Sequence, residues 1–448
     1  MTRLAAALVA VGVVAAARPA AAQCNPRPTD PGGTEGVEFG VAVKTYDTSS
    51  VRVHYASTGT HAVAPESTRG DGVPDLVAHA GDTAEDALSK YASMGFRKPP
   101  SDTGCASNGG DAKLDIYLVK FPNADGSTKT ASCDGRSCSS FVLCESTFFG
   151  KGYPSVKEGF TTVVTHELFH AVQNAYDQGM DRFWAEGTAQ WAMKKLHPEL
   201  VDFERQLPAF FKEPGRSLDT QPMGAVAGYL YGSAVWPLFL SLKYGDDTIQ
   251  KTLEAQADGT TSLPAVDKVL AEKGSSLAKA FPTFAAWNVG TADRAGTGGY
   301  PDGAKYPALA SKPGEDGSEG ITTGYSYTVL SIDPGGSAGV SLETDIARNA
   351  GVLVPLEGGK ANIDKAAFLP ANAEGPAIVV IAGITSKKTD AKWVLRIGAP
   401  VASSSSSSSS SGGGGDEGGC SASGADSGGS AGWVAGLVVL FVARRRRR

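Results

Sequence analysis

Histidine is rare in this chain, with six in 448 residues, so a site that uses several of them must draw on a short set. Cysteine is equally rare, also six, which excludes a small disulfide-dense scaffold. A basic surplus is missing: Lys and Arg number 41 against 47 Asp and Glu, a formal net charge of −6. The first 22 residues carry +2 and the last 48 a net +2, which leaves the body near −10. Such a body lacks the electrostatic footprint of a nucleic-acid binder. Apolar runs long enough for an ordinary membrane span are missing at both ends, Leu4 to Ala17 and Ala431 to Ala443 each falling short of about 18 residues. The hydrophobic content is ordinary at 41%. The length is that of two or three units.

The two ends read as targeting segments. "MTRLAAALVAVGVVAAARPAAAQC" places Arg3 before an Ala/Val run and closes on Ala20-Ala21-Ala22, the order of a secretory signal peptide over residues 1–22 with cleavage near Ala22. Ser403 to Gly415 is a Ser/Gly tether, part of a linker over residues 401–419. Cys420, the apolar run to Ala443 and the block Arg444 to Arg448 follow. That three-part order over residues 420–448 resembles the MYXO-CTERM sorting tail of myxobacterial surface proteins. The resemblance implies processing by a sorting machinery near the cysteine and attachment to the membrane or cell surface through Cys420. A plain tail anchor is the competing reading.

Secretion makes disulfides the expected use of cysteine. Cys105, Cys133, Cys138 and Cys144 lie within forty residues and are expected to form two bridges in one of three pairings, with Cys24 left over. Their spacing gives no paired C-x-x-C hooks for a structural zinc. Alternation from Val37 to Pro65 predicts two or three strands, with His54 a half-buried strand residue. Asp75 to Met94 predicts a helix stopped by Gly95. Asp71, Asp75 and the turn between them are a candidate for a structural Ca2+, against the simpler reading of a capped turn. Ala112–Phe121 and Ser139–Phe149 read as strands flanking a Cys-rich loop. Helices are expected around Phe183–Leu196, Glu199–Phe211, Gly228–Tyr244, Thr248–Ala255 and Leu277–Trp287, with Pro282 kinking or restarting the last. From residue 320 to 400 short β-like runs recur, the pattern of a small β-sandwich.

The chemistry concentrates in "THELFHAVQNAYDQGMDRFWAEGTAQW", Thr165 to Trp191. His166 and His170, four apart, stack on one face of a helix, which "SVKE" from Ser155 opens as a capping box. Val164, Leu168 and Val172 form an apolar row for the core. Glu167, about 100° around from His166, can serve as a general base without ligating. This H-E-x-x-H arrangement supplies two zinc ligands and a base. A catalytic zinc needs a third ligand. Gln173 and Tyr176 stand where a metzincin has Gly and His. Asp177, read as still on the helix, and Asp181, in the following turn, are alternatives. Glu186 opens the next helix, with Gly187 and Ala189 permitting close approach to the first, and geometry favours it.

"HELFH" with "WAEGTA" resembles the gluzincin metallopeptidases, whose third ligand is a glutamate in an E-G-x-A context, as in the aminopeptidase N family. The resemblance implies His166, His170 and Glu186 as ligands of one catalytic Zn2+ and Glu167 as base. The amine-gripping Gly-Ala-Met-Glu-Asn motif of aminopeptidases does not occur upstream, which tilts the expectation toward an endopeptidase. The stretch Tyr231 to Gly245 resembles the aminopeptidase segment that begins with a tyrosine and runs into an apolar helix ending in glycine. That implies Tyr231 as the donor to the oxyanion; Tyr229, two residues away, is the alternative. The expectation is an α+β chain: a zincin-like domain over residues 23–300, with a mixed sheet followed by helices, and a β-sandwich over 320–400. The expected activity is hydrolysis of a peptide or protein substrate by a secreted, surface-anchored metalloendopeptidase. The rival readings are an inactive adhesin that keeps the fold, and a zinc hydrolase of a non-peptide substrate.

Overall fold

The computed structural model describes residues 24–121, 124–386 and 390–401. The signal segment, the Ser/Gly tether and the Cys420 tail lie outside the described residues. The fold is mixed α and β, as the composition of elements predicts.

Strands β1 (Val43–Asp47) and β2 (Val51–Ala56) precede helix α1 (Asp75–Ser93), followed by β3 (Leu114–Val119), β4 (Gly126–Asp134) and β5 (Ser137–Glu145). They form one sheet in the order β1-β2-β3-β5-β4. The central pairs β2·β3 and β3·β5 are parallel, and the outer pairs are antiparallel. Side-chain alternation divides this sheet between two cores. Val51, Val53, Ile116, Leu118, Val142 and Cys144 face the helices. Tyr117, Val119, Phe141 and Leu143 face the other way, against Phe39 of the amino-terminal segment. That segment carries Arg27, fully buried, ion-paired to Asp102 and lying 3.5 Å from Asp115. His54 is buried rather than half-buried: it stacks on Tyr117 and meets Asp115 at 2.7 Å.

Helices follow as α2 (Val156–Asn174), α3 (Arg182–Leu196), α4 (Asp202–Phe211), α5 (Gly228–Gly232), α6 (Val235–Tyr244), α7 (Asp247–Gln256), α8 (Ser262–Glu272) and α9 (Leu277–Trp287). The Ser155 side chain accepts from Glu158 N and starts α2. Its Val164, Leu168 and Val172 row is buried in the shared core. The stretch Gly224–Tyr244 is apolar enough to cross a membrane by length and composition, but 67% of its most apolar window is buried inside the fold. It is packed as a core element. Pro282 sits within α9 and does not break it.

The carboxy-terminal part contains β6 (Lys312–Pro313), β7 (Glu319–Thr323), β8 (Tyr327–Ile332), β9 (Ala338–Thr344), β10 (Asn349–Glu357), β11 (Lys360–Ala361), β12 (Ala367–Phe368), β13 (Ala371–Ala373), β14 (Ala377–Gly383) and β15 (Asp390–Gly398). One sheet runs β11-β10-β14-β8-β6, with β12 also on β10; another runs β13-β9-β15-β7. Leu330, Leu353, Val379 and Ile381 of the first meet Val340, Trp393 and Leu395 of the second in a common apolar layer. The other face of the first sheet, including Tyr327, Val329, Val380 and Ala382, joins the core of the helices. Asn288, just past α9, donates to the Tyr327 hydroxyl at 3.1 Å.

The disulfides depart from expectation. Cys24 bridges Cys105 and Cys133 bridges Cys138. Cys133 and Cys138 stand directly opposite across the β4–β5 hairpin. Cys144 is free and buried, packed into the helix-side core, while Cys138 on the same strand is taken by Cys133. Cys24, expected to be left over, instead ties the amino-terminal segment to the loop beyond α1. The Asp71–Asp75 turn spends its carboxylates on local bonds: Asp71 accepts from Val73 N, and Asp75 from the Thr68 amide and hydroxyl.

Candidate metal centre

Helix α2 presents His166, Glu167 and His170, and α3 crosses it with Glu186. Three ligand atoms converge: His170 Nε2 to His166 Nε2 is 3.1 Å, His166 Nε2 to Glu186 Oε2 is 3.3 Å, and His170 Nε2 to Glu186 Oε2 is 3.5 Å. Ligands bound at about 2.0–2.1 Å in a tetrahedron stand roughly 3.3–3.4 Å apart, so this triangle fits a zinc-sized ion. Among the described residues these three form a group of metal-binding type.

The proton positions can be reasoned out. Thr188 Oγ1 donates to Trp184 O, so it accepts from Gln173 Nε2, which also donates to Ala185 O. The Gln173 amide is thereby oriented with Oε1 toward His170 Nδ1, 2.7 Å away. Nδ1 must carry the hydrogen, and in the neutral ring the Nε2 lone pair faces the cluster. The cluster also attracts positive charge. Burial lowers the His170 pKa, but Glu186, then Glu167 and Gln173, outweigh it and raise it to about 9. Burial raises Glu186, yet His170 and His166 outweigh that and hold it well below the usual carboxylate range. A buried group of this kind holds a cation, a proton or a metal ion.

Glu167 stands beside the triangle without joining it. Its Oε2 accepts from Thr128 Oγ1 at 2.9 Å, and the same hydroxyl reaches Glu167 O at 2.7 Å. Thr128 lies on β4, whose approach to α2 depends on Gly126: a Cβ there would lie 2.4 Å from Val163 Cγ1 and 2.8 Å from Glu167 Cγ. Tyr231 stacks on His166, ring centroids 5.9 Å apart. Its hydroxyl is buried and makes no hydrogen bond of normal geometry, with the Glu186 carboxylate the nearby acceptor. Burial above all, then the charges of Glu186 and Glu167, push it well above the ordinary phenol range, so it remains a donor. Tyr229 points elsewhere, toward the Arg216 and Ser217 carbonyls.

The alternative ligands are engaged elsewhere. Asp177 lies beyond the end of α2, not on it, and pairs with Arg136 at 3.2 Å. Asp181 accepts from the Ser262 amide at 2.8 Å, at the start of α8. Gly187 does permit a close approach, but to Ser233 rather than to α2: its added Cβ would lie 3.0 Å from Ser233 Oγ. That packing, with Ser233 Oγ donating to Phe183 O at 3.0 Å, seats the residue after Tyr231's neighbour and fixes the tyrosine over the site. Thr128 and Gln173 support the site from outside the motif: Gln173 is legible in its spacing of three from His170, whereas Thr128 is not legible without the strand pairing.

The cleft at the cluster measures about 90 Å3 and is lined by Thr128, Thr130, Glu167, His170, Arg182 and Glu186 among others. A larger cleft of about 490 Å3, lined by Glu85, Arg97, Pro99 and Asp102 among others, brings no such set of ligand atoms together. No protein-family model and no curated protein matches this chain.

Proposed function

We propose that this chain is a zinc-dependent metallopeptidase of the gluzincin type, with a zincin-like domain over residues 23–300 and a β-sandwich over residues 320–400. The observation that carries the reading is the triangle of His166, His170 and Glu186 with Glu167 beside it and outside it. Metal binding alone has no need of that fourth side chain. A bound zinc ion would polarise the scissile carbonyl and acidify a water.

The chain's own groups supply the rest. Glu167 takes the water's proton on its carboxylate and returns it to the leaving amine. The Thr128 hydroxyl holds one Glu167 oxygen, which aims the other. Tyr231 gives its hydroxyl to the oxygen that becomes negative as the carbonyl is attacked. Strand β4 lies at the sheet edge beside the cleft, where an extended polypeptide can run alongside it short of Thr130 and Ala131, whose carbonyls Asn25 occupies. The targeting segments support an enzyme that is exported and held at the surface through Cys420.

Glu167→Gln tests the assignment. The variant should keep one zinc per chain by elemental analysis and lose hydrolysis of a mixed peptide pool. Full activity in the variant, or no zinc in the parent chain, would sink the reading.

A further inference from the structure

Arg182 is the first residue of α3, and no acidic residue stands in that helix's first turn. A cation at a helix start opposes the macrodipole. The position brings no compensating partner. Arg182 forms no ion pair among the described residues, and its Nε is buried without a hydrogen-bond partner. Its backbone amide alone is engaged, donating to Gln221 Oε1 at 3.0 Å. One turn further along, on the same face, is Glu186, and the Arg182 side chain lines the same small cleft.

Every other charged side chain in that cleft has a partner. Glu186 faces His166 and His170, Asp177 faces Arg136, and the Glu167 carboxylate accepts from Thr128 Oγ1. A guanidinium left unpaired in a confined cleft matches a planar, anionic group brought by a ligand. The space, about 90 Å3, takes a short side chain or a few waters.

Resting on the peptidase reading, we infer that Arg182 is a specificity residue that binds a substrate carboxylate next to the scissile bond. The carboxylate can come from an Asp or Glu side chain or from a free carboxy terminus; the chemistry is shared, and the experiment separates the two.

The test uses the zinc-loaded chain carrying Glu167→Gln, so that peptides bind without turnover. Fluorescence anisotropy compares peptides identical except for Glu or Gln at each central position, and neutral peptides with a free or an amidated carboxy terminus. One acidic form should bind about tenfold or more tightly than its neutral twin, and which pair discriminates names the source. Adding Arg182→Gln should erase that difference, with zinc content unchanged and melting temperature no lower; Arg182→Lys should restore part of it. In the active chain, Arg182→Gln should raise KM for the acidic substrate alone. Equal binding of acidic and neutral peptides overturns the inference, as does discrimination that survives Arg182→Gln. A kcat loss shared by all substrates also overturns it, since it would place Arg182 on the oxyanion. Zinc content and turnover in the parent chain separate the two failures. Their absence defeats the peptidase reading, whereas their presence without discrimination defeats the Arg182 assignment alone.

Discussion

Gln173 uses its amide fully: two donors go to Ala185 O and Thr188 Oγ1, and the oxygen faces His170 Nδ1. It joins the helix that holds the histidines to the helix that holds Glu186, and sets which His170 nitrogen faces the cluster. Gln173→Leu should therefore weaken zinc binding about 10–100-fold, read by competition with a chelator, with folding retained. Tyr231 has the opposite character, a buried hydroxyl that makes no hydrogen bond of normal geometry. A group used mainly in the transition state affects turnover more than binding. Tyr231→Phe should lower kcat about a hundredfold or more at unchanged zinc content, while Tyr229→Phe stays mild in the same assay. Much at this scale was legible because the chemistry is local. His166, Glu167 and His170 sit within five positions, and helical spacing alone places them. Thr128 was hidden because its contact with Glu167 joins a strand to a helix 39 residues apart.

At the scale of elements, helices with clear start and stop signals are legible in the sequence, and a small polar strand is not. Helix α1 matched its expected span to one residue, helped by Pro74 before it and Gly95 after it. The sequence of β4, "GSTKTASCD", predicts a loop because it is mostly small and polar. The strand lies at an edge, where one flank faces no strand and apolar alternation is not required. Helix α8 is not among the expected helices although Leu263, Val266, Val269 and Leu270 recur at helical spacing. The cost of missing β4 is the placement of the general base. Gly126→Ala should push β4 from α2 and part Thr128 from Glu167. A destabilisation of about 1–3 kcal/mol in a urea melt, with turnover falling further than zinc content, is the expected outcome.

For the whole molecule, the change from helical to β patterning near residue 320 suggested a second unit, and the strands there do appear. What patterning could not convey is how those strands are seated. Tyr327, Val329, Val380 and Ala382 belong to the same apolar cluster as α2, α3 and α9. Leu218 N donates to Tyr325 O, and Tyr327 N to Pro214 O, so main chain also crosses between the two parts. Side chains that point to opposite faces of one strand thus serve two different neighbours, and only the assembled structure tells which. The shared cluster has a thermodynamic consequence. Parts that bury a common interior cannot melt independently without exposing it, so heat should unfold residues 24–401 as one cooperative event. Differential scanning calorimetry should record a single peak whose calorimetric and van't Hoff enthalpies agree, and two resolved peaks would show the interior to be divided after all.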